Sequence, residues 1–308
     1  MRPDKHLFQH GLRLRPEQTV VVGQSFLENL KLDSAILPVL VALGLLNVSC
    51  TERSCPPSPS ESGSSETLPT LSEAEKAEGW FLLFDGQSFD GWRALGRDAI
   101  PPEHWMIEGG SLRKVSSGSV PRAPDGQPIE GGDIITVETY RDFELRFEWK
   151  VSPGGNSGIK YNVSEEMSVA HSPPNAALGF EYQVVDDDGH PDGKVVKHQA
   201  ADLYDLVKAG PSKNLQPDCA FNSGRIVLRG QHGEHWLNGV KVLEYEIGSP
   251  NFDSLFIASK YRDFDWFAVR RAGHIVLQDH GDDVWFRNIK ARRLDNAENG
   301  DPVPNAGG

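Results

Sequence analysis

The clearest periodic segment is Asp142-Phe-Glu-Leu-Arg-Phe-Glu-Trp-Lys150. Phe143, Leu145, Phe147 and Trp149 alternate with Glu144, Arg146, Glu148 and Lys150, the period expected of a strand with one buried face. Gly179-Phe-Glu-Tyr-Gln-Val-Val185 alternates as well, with Glu181 and Gln183 on one face and Tyr182 and Val184 on the other. Arg225 to Arg229 and Glu234 to Leu237 read as strands. Asn238-Gly239 is a hairpin turn signal leading into Val240 to Tyr245, and Val284 to Ala291 forms the last strand. Helical periodicity is scarce and nothing calls for βαβ units. The 31 Gly and 21 Pro suit short strands joined by turns. The expected fold is all-β, an antiparallel two-sheet β-sandwich over residues 79–295.

The flanks have a different character. Residues 35–46 form an apolar run of twelve, short for a membrane span and the length of a signal-peptide core. Leu46-Asn-Val-Ser-Cys50 then resembles a bacterial lipoprotein cleavage box with Cys50 as the lipidated residue. Residues 1–50 are therefore read as a leader, with a true start near residue 30. The expected location is exported, periplasmic or at the cell surface, with membrane contact only through a lipid anchor. Residues 51–78 are rich in Ser, Glu, Pro and Thr and too poor in large apolar groups to offset the entropy of ordering. They read as a disordered tether, and residues 296–308 read as a polar tail. The net charge of −13 disfavours nucleic acid and anionic membranes as partners. Cys50, Cys55 and Cys219 offer no zinc spacing. The simplest reading of Cys219 is a free, partly buried thiol, and a disulfide to the leader is the lesser alternative.

Several polar groups interrupt this apolar pattern. Gln278 and His280 share a face if their strand persists, with Asp279 opposite, and Trp285 and Arg287 follow closely. A Glu beside a Gln, as at Glu181 and Gln183, suits acid–base work and hydroxyl binding. A His serves as base or acid near neutrality. The glycines of Ser152-Pro-Gly-Gly-Asn-Ser-Gly-Ile159 would bring Asn156 and Ser157 close to a ligand, or simply make a turn. Asp186, Asp187, Asp188 and His190 invite a divalent metal but lack EF-hand spacing, and a solvated acidic loop is the plainer reading. His198, Asp202 and Tyr204 form a less specific group. His235 is as readily structural as catalytic.

Taken together, these segments resemble the 3-keto-disaccharide hydrolase domain family. The matching pieces include Trp80-Phe-Leu-Leu-Phe-Asp-Gly86, Pro153-Gly-Gly-Asn-Ser-Gly-Ile159, Glu181-Tyr-Gln183, His235-Trp-Leu-Asn-Gly239 and Leu277-Gln-Asp-His-Gly281, in order across residues 79–295. Two departures stand out: Phe180, where the family commonly has proline, and Lys160, where an aromatic or aliphatic residue is usual. The resemblance implies a concanavalin A-like jelly roll with its site on the concave sheet. It also implies a carbohydrate substrate oxidised to a ketone at C3, supplied by a sugar 3-oxidoreductase. Such a ketone acidifies the C2 proton, so cleavage by elimination followed by hydration needs a base, an acid and enolate stabilisation. Glu181 and His280 are the expected catalytic pair, in either order. Gln183, Gln278, Asn156 and Arg287 would bind hydroxyls or the ketone, Trp285 would stack on the ring, and Glu148 is a reserve carboxylate. A divalent metal ion or an Arg could stabilise the enolate; no metal ligand set is identifiable. The competing readings are a lectin-like carbohydrate-binding module and a conventional glycanase of the same fold.

Overall fold

The computed structural model describes residue 55 and residues 68–116, 132–171, 176–217 and 219–294. The apolar run 35–46, Cys50 and the tail 296–308 lie outside these residues. In chain order the first strands are β1 (Phe81–Leu82), β2 (Trp92–Ala94), β3 (Trp105–Glu108), β4 (Ser111–Lys114), β5 (Ile134–Thr136) and β6 (Phe143–Val151). There follow β7 (Asn156–Val163), β8 (Phe180–Val185), β9 (Asn222–Arg229), β10 (His232–Leu237), β11 (Val240–Glu246), β12 (His274–Leu277) and β13 (Val284–Arg293). Among the described residues these build two antiparallel sheets. The larger runs β11-β10-β9-β6-β13-β4-β3, with β1 also on β13, and the smaller runs β2-β5-β12-β7-β8. The sandwich expected from the alternation is the observed fold.

The larger sheet follows the period-two pattern closely. Phe143, Leu145, Phe147 and Trp149 of β6 are buried in the core. On its outer face Glu144 is ringed by Arg225 (2.7 Å), Arg292 (2.7 Å) and Arg146 (3.0 Å). The smaller sheet is buried on both faces: every residue of β7 and β8 is buried. Its inner face contributes Ile159, Tyr161, Tyr182 and Val184 to the main core, where Phe147 meets Tyr182 edge-on at 5.2 Å. The polar residues of β7 and β8 therefore point outward, beneath the connecting segments. His235 is structural. It is fully buried, bonded to the Ala201 carbonyl at 3.0 Å and the Tyr161 hydroxyl at 2.7 Å, and burial pushes its imidazole down to about 3.

The amino-terminal side departs from the expected tether in two ways. Within residues 51–78, α1 (Glu73–Ala77) is closed by a capping box between Ser72 and Glu75, and Glu75 pairs with Lys290 of β13. The compositional argument missed this turn because it buries no residue of its own; caps and an ion pair hold it instead. Cys55 and Cys219 form a disulfide, with Cα atoms 5.4 Å apart and 164 residues between them. Cys219 is thus not a free thiol. A separation that long leaves no local trace in the sequence.

Candidate active site

The outer face of the smaller sheet carries a cavity of about 210 Å³. Its floor comes from alternate residues of adjacent strands: Asn156 and Lys160 of β7, Glu181 and Gln183 of β8, and Gln278 and His280 just beyond β12. The rest of the lining includes Asp192, Tyr204, Lys260 and Tyr261, together with His171, Ala176, Leu178 and Phe264. The period-two reasoning at Glu181/Gln183 and Gln278/His280 thus describes residues that do meet, together with Asn156.

Glu181 is 5% exposed. Its carboxyl lies over Gly158, where an added Cβ would come within 2.1 Å of Oε1. The Gln183 amide, oriented to satisfy its surroundings, donates to Glu181 Oε1 at 3.1 Å and to the Ser157 carbonyl at 3.1 Å. Burial pushes the Glu181 carboxyl above its ordinary range, and the ammonium groups of Lys160 and Lys260 offset only part of that rise. Lys160 is itself held by the Ala177 carbonyl (2.9 Å) and Asp133 (3.4 Å).

The Gln278 backbone is clamped, with its amide donating to the Gly158 carbonyl at 2.9 Å and its carbonyl accepting from Ser157 Oγ at 2.7 Å. Its side-chain Oε1 is buried and has no partner among the described residues, so it can accept from a substrate hydroxyl. Asp279, between Gln278 and His280, points away from the cavity. It bonds His104 at 2.6 Å and Lys114 at 3.0 Å, and its backbone N–H donates to Asp133 at 2.8 Å. Asp192 is fixed by His198 (3.2 Å), Tyr204 (3.3 Å) and Asn156 (3.4 Å). The hydrogen bond from His198 is the main reason its carboxyl sits below the ordinary range. The His198 ring stacks on Tyr204 at 4.2 Å, and Lys260 lies 4.4 Å over the same tyrosine.

Three expected binding residues are elsewhere. Phe286 of β13 enters the core, so its neighbours Trp285 and Arg287 face outward from the larger sheet. Arg287 pairs with Glu148 at 2.7 Å, as the β6/β13 register dictates, and covers the Phe221 ring at 3.7 Å. Trp285 donates to Glu108 at 3.0 Å, and its ring is capped by Lys150. The physical reason is the crossing between β12 and β13, where the chain passes from one sheet to the other. Residues only five apart, His280 and Trp285, thereby land on different layers. Lys260, Tyr261 and Asp192 escaped notice because they lie on connections, where no periodicity marks them. Lys160 was visible only as a departure from the family pattern.

The acidic loop is used internally. Asp186 accepts from the backbone of Gly154 (2.6 Å), Asp188 (2.9 Å) and Gly189 (2.9 Å), and Asp187 accepts from Ala200 N–H at 2.7 Å. A donor set of the right composition for a divalent ion does exist in His190, His280 and Asp282, whose donor atoms lie within 4.8 Å of one another. However, His190 Nδ1 already accepts the Asp192 N–H at 3.1 Å, which leaves the ring proton on Nε2. The set does not fit an ion as arranged, and no chemical step is derived through one.

Comparison with known proteins gives the family of the chain. The sequence is 39% identical over 238 residues to a 3-keto-disaccharide hydrolase of Bacteroides thetaiotaomicron, covering 71% of this chain and 80% of that protein. A solved structure of a candidate glycosyl hydrolase from Parabacteroides distasonis superposes with a TM-score of 0.64 at 28% identity, covering 74% of this chain and all of that one. A second from the same organism gives 0.52 at 27% identity, covering 70% of this chain and 99% of that one. Residues 79–292 match the profile of the 3-keto-alpha-glucoside-1,2-lyase-like domain, and the chain belongs to that family.

Proposed function

We propose that this protein is a glycoside-cleaving enzyme acting on 3-keto-glycosides or 3-keto-disaccharides by elimination and then hydration. The observation that carries the reading is the Glu181 carboxyl, buried, seated over Gly158 and placed in one cavity with Gln278 and His280. A carboxylate with a raised pKa is a stronger base once ionised. It takes the proton from C2, and the C–H electron pair forms the enolate between C2 and C3. The ammonium groups of Lys160 and Lys260 line the cavity and offer charge to the enolate oxygen. The ketone then reforms, a C1–C2 double bond is made and the C1–O bond breaks, with His280 giving the departing oxygen its proton. Water adds its hydroxyl to C1 and a proton returns to C2, so the sum is hydrolysis. Asn156, Gln183 and Gln278 hold ring hydroxyls.

A second reading has one observation in its favour. Glu181 and Asp192 share the cavity and their carboxyls are shifted in opposite directions, as in an ordinary glycosidase acid and its partner. Against it, Asp192 is already engaged by His198, Tyr204 and Asn156. Turnover of Glu181→Gln on a 3-keto-glycoside tests the first reading. Loss of at least about a hundredfold is expected for a removed general base, and near-normal turnover removes Glu181 from the mechanism.

The Cys55–Cys219 disulfide supports export, since such bonds persist in oxidising compartments. The proposed location is therefore periplasmic or cell-surface, with Cys50 as lipid anchor. A sugar 3-oxidoreductase acting upstream is the proposed source of the ketone.

A further inference from the structure

Gln183 and Asn156 stand between the two proposed proton carriers. Both side chains are buried, each 1% exposed. The Gln183 amide meets Glu181 Oε1 at 3.1 Å on one side and the Asn156 amide at 3.2 Å on the other. The Asn156 amide continues to His280 Nε2 at 3.5 Å, with Asp192 beside it at 3.4 Å. Glu181, Gln183, Asn156 and His280 thus form one line from carboxyl to imidazole. The β7/β8 register sets the spacing: Glu181 pairs with Lys160 and Asn156 with Val185, so Gln183 falls between the two.

An amide donates through nitrogen and accepts through oxygen, so such a line has a direction. An ionised Glu181 only accepts, and Gln183 must offer it nitrogen. The Gln183 oxygen then faces Asn156, which answers with its own nitrogen. That turns the Asn156 oxygen toward His280, where it accepts from Nε2–H. A protonated Glu181 can donate to the Gln183 oxygen instead. The Gln183 nitrogen then meets the Asn156 oxygen, and the Asn156 nitrogen meets an Nε2 that bears a lone pair. The first direction fits ionised Glu181 with protonated Nε2, and the second fits the state after both protons have moved.

The surroundings lock neither direction. In the first, oxygens of Asn156 and Asp192 face each other at 3.4 Å; in the second, oxygens of Gln183 and Ser157 do so at 3.1 Å. Each direction therefore carries one unfavourable contact. The terminal torsion of an amide side chain is broad and roughly two-fold, so both orientations are open to each residue. The protons at the two ends decide between them.

We propose that Gln183 and Asn156 are positioning residues that couple the base to the acid: when Glu181 takes the C2 proton, the line reverses and favours release of the His280 Nε2 proton to the leaving oxygen. The C2 proton stays on Glu181, the Nε2 proton goes to the leaving oxygen, and the amides turn without carrying either. Each amide oxygen keeps a second lone pair for a ring hydroxyl. This rests on the proposed function and joins its two proton transfers.

The first test needs no turnover. NMR of the labelled wild-type protein follows the Glu181 carboxyl and the Asn156 side-chain amide through a pH titration. Asp192, His280 and His190 titrate around Asn156, and Lys160, Lys260 and Asp133 act on Glu181, so midpoints are assigned with variants. The Asn156 amide is expected to shift at the Glu181 midpoint, and Gln183→Met is expected to abolish that step alone. An Asn156 amide blind to the Glu181 midpoint overturns the coupling. The second test is turnover of a 3-keto-glucoside carrying hydrogen or deuterium at C2. Gln183→Met and Asn156→Leu are each expected to lower kcat/KM by about tenfold or more, part of what a general acid contributes. The double variant should lose little more than either, because parts of one unit are not additive. The isotope effect should shrink in each variant, since departure of the leaving group then limits cleavage. Losses that multiply, or an unchanged isotope effect, overturn the coupling and leave two separate contacts. Asn156→Asp keeps the shape but cannot donate, and replaces Asn156→Leu should that variant not fold. If the wild-type protein cleaves no ketone, the proposed function fails, and the titration still reads the amide line by itself.

Discussion

Lys114→Met removes the cation that anchors the segment just beyond β12, Gln278 to His280. Lys114 Nζ lies 3.0 Å from Asp279 Oδ1, and both side chains are fully buried. Asp279 stands between Gln278 and His280, so its anchorage sets where those two side chains project. Breaking one partner out of a buried pair costs about 3–5 kcal/mol, because the charge left behind is uncompensated. His104 still bonds the other carboxylate oxygen at 2.6 Å, and the Gly281 N–H donates to Oδ1 at 2.9 Å, so the lower end, about 3 kcal/mol, is expected. For a domain of this size that lowers Tm by about 6–12 °C. Urea and thermal unfolding measure the loss, and kcat/KM on a 3-keto-glycoside at a temperature where the variant stays folded measures displacement of Gln278 and His280. Adding Asp279→Asn removes the orphaned charge and should return part of the stability. A loss below about 1 kcal/mol with normal turnover would refute the reasoning, because it would mean that this pair anchors nothing.

Further outcomes follow from single contacts. Gly158→Ala places a Cβ 2.1 Å from Glu181 Oε1, so the carboxyl must move; kcat is expected to fall at least about tenfold while circular dichroism stays native. Burial holds the His235 imidazole at about 3, far below its value in the unfolded chain. A depressed His favours the fold above the unfolded value, so stability should fall as pH drops from about 6.5 to about 3, at up to about 1.4 kcal/mol per unit. His235→Gln should flatten that slope in urea titrations, and an unchanged slope contradicts the assignment. Cys219→Ser should remove the Cys55 cross-link seen in non-reducing peptide mapping and cost about 2–4 kcal/mol. A mass showing free thiols in the oxidised wild-type protein rules the disulfide out.

How much of this was legible in the sequence depends on what each strand faces. β6 alternates visibly because one side of the larger sheet meets the core and the other meets solvent and ion pairs. β7 and β8 are buried on both sides, so their burial has no period, yet polar residues at alternate positions still betray the site face. That is why Glu181 with Gln183, and Gln278 with His280, could be paired in advance. The same reasoning failed at Trp285 and Arg287 because alternation is meaningful only within one strand, and the chain changes sheets between His280 and Val284. Asp192, Lys260 and Phe264 come from connections whose course is set by tertiary packing. The Cys55–Cys219 bond was hidden for a related reason, since its partners lie 164 residues apart, whereas α1 carried a local signal in its Ser72–Glu75 capping box but buries no residue of its own.

Turnover of paired substrates, a glucoside and its 3-keto derivative, with and without a chelator, tests the central claim most directly. The account predicts aglycone release from the ketone alone, unaffected by the chelator, since no step passes through a metal. Cleavage of the unoxidised glucoside would contradict it and return Glu181 and Asp192 to the roles of an ordinary glycosidase pair. Loss of ketone cleavage with chelator would contradict the metal-free sequence of steps and give His190, His280 and Asp282 an ion to hold.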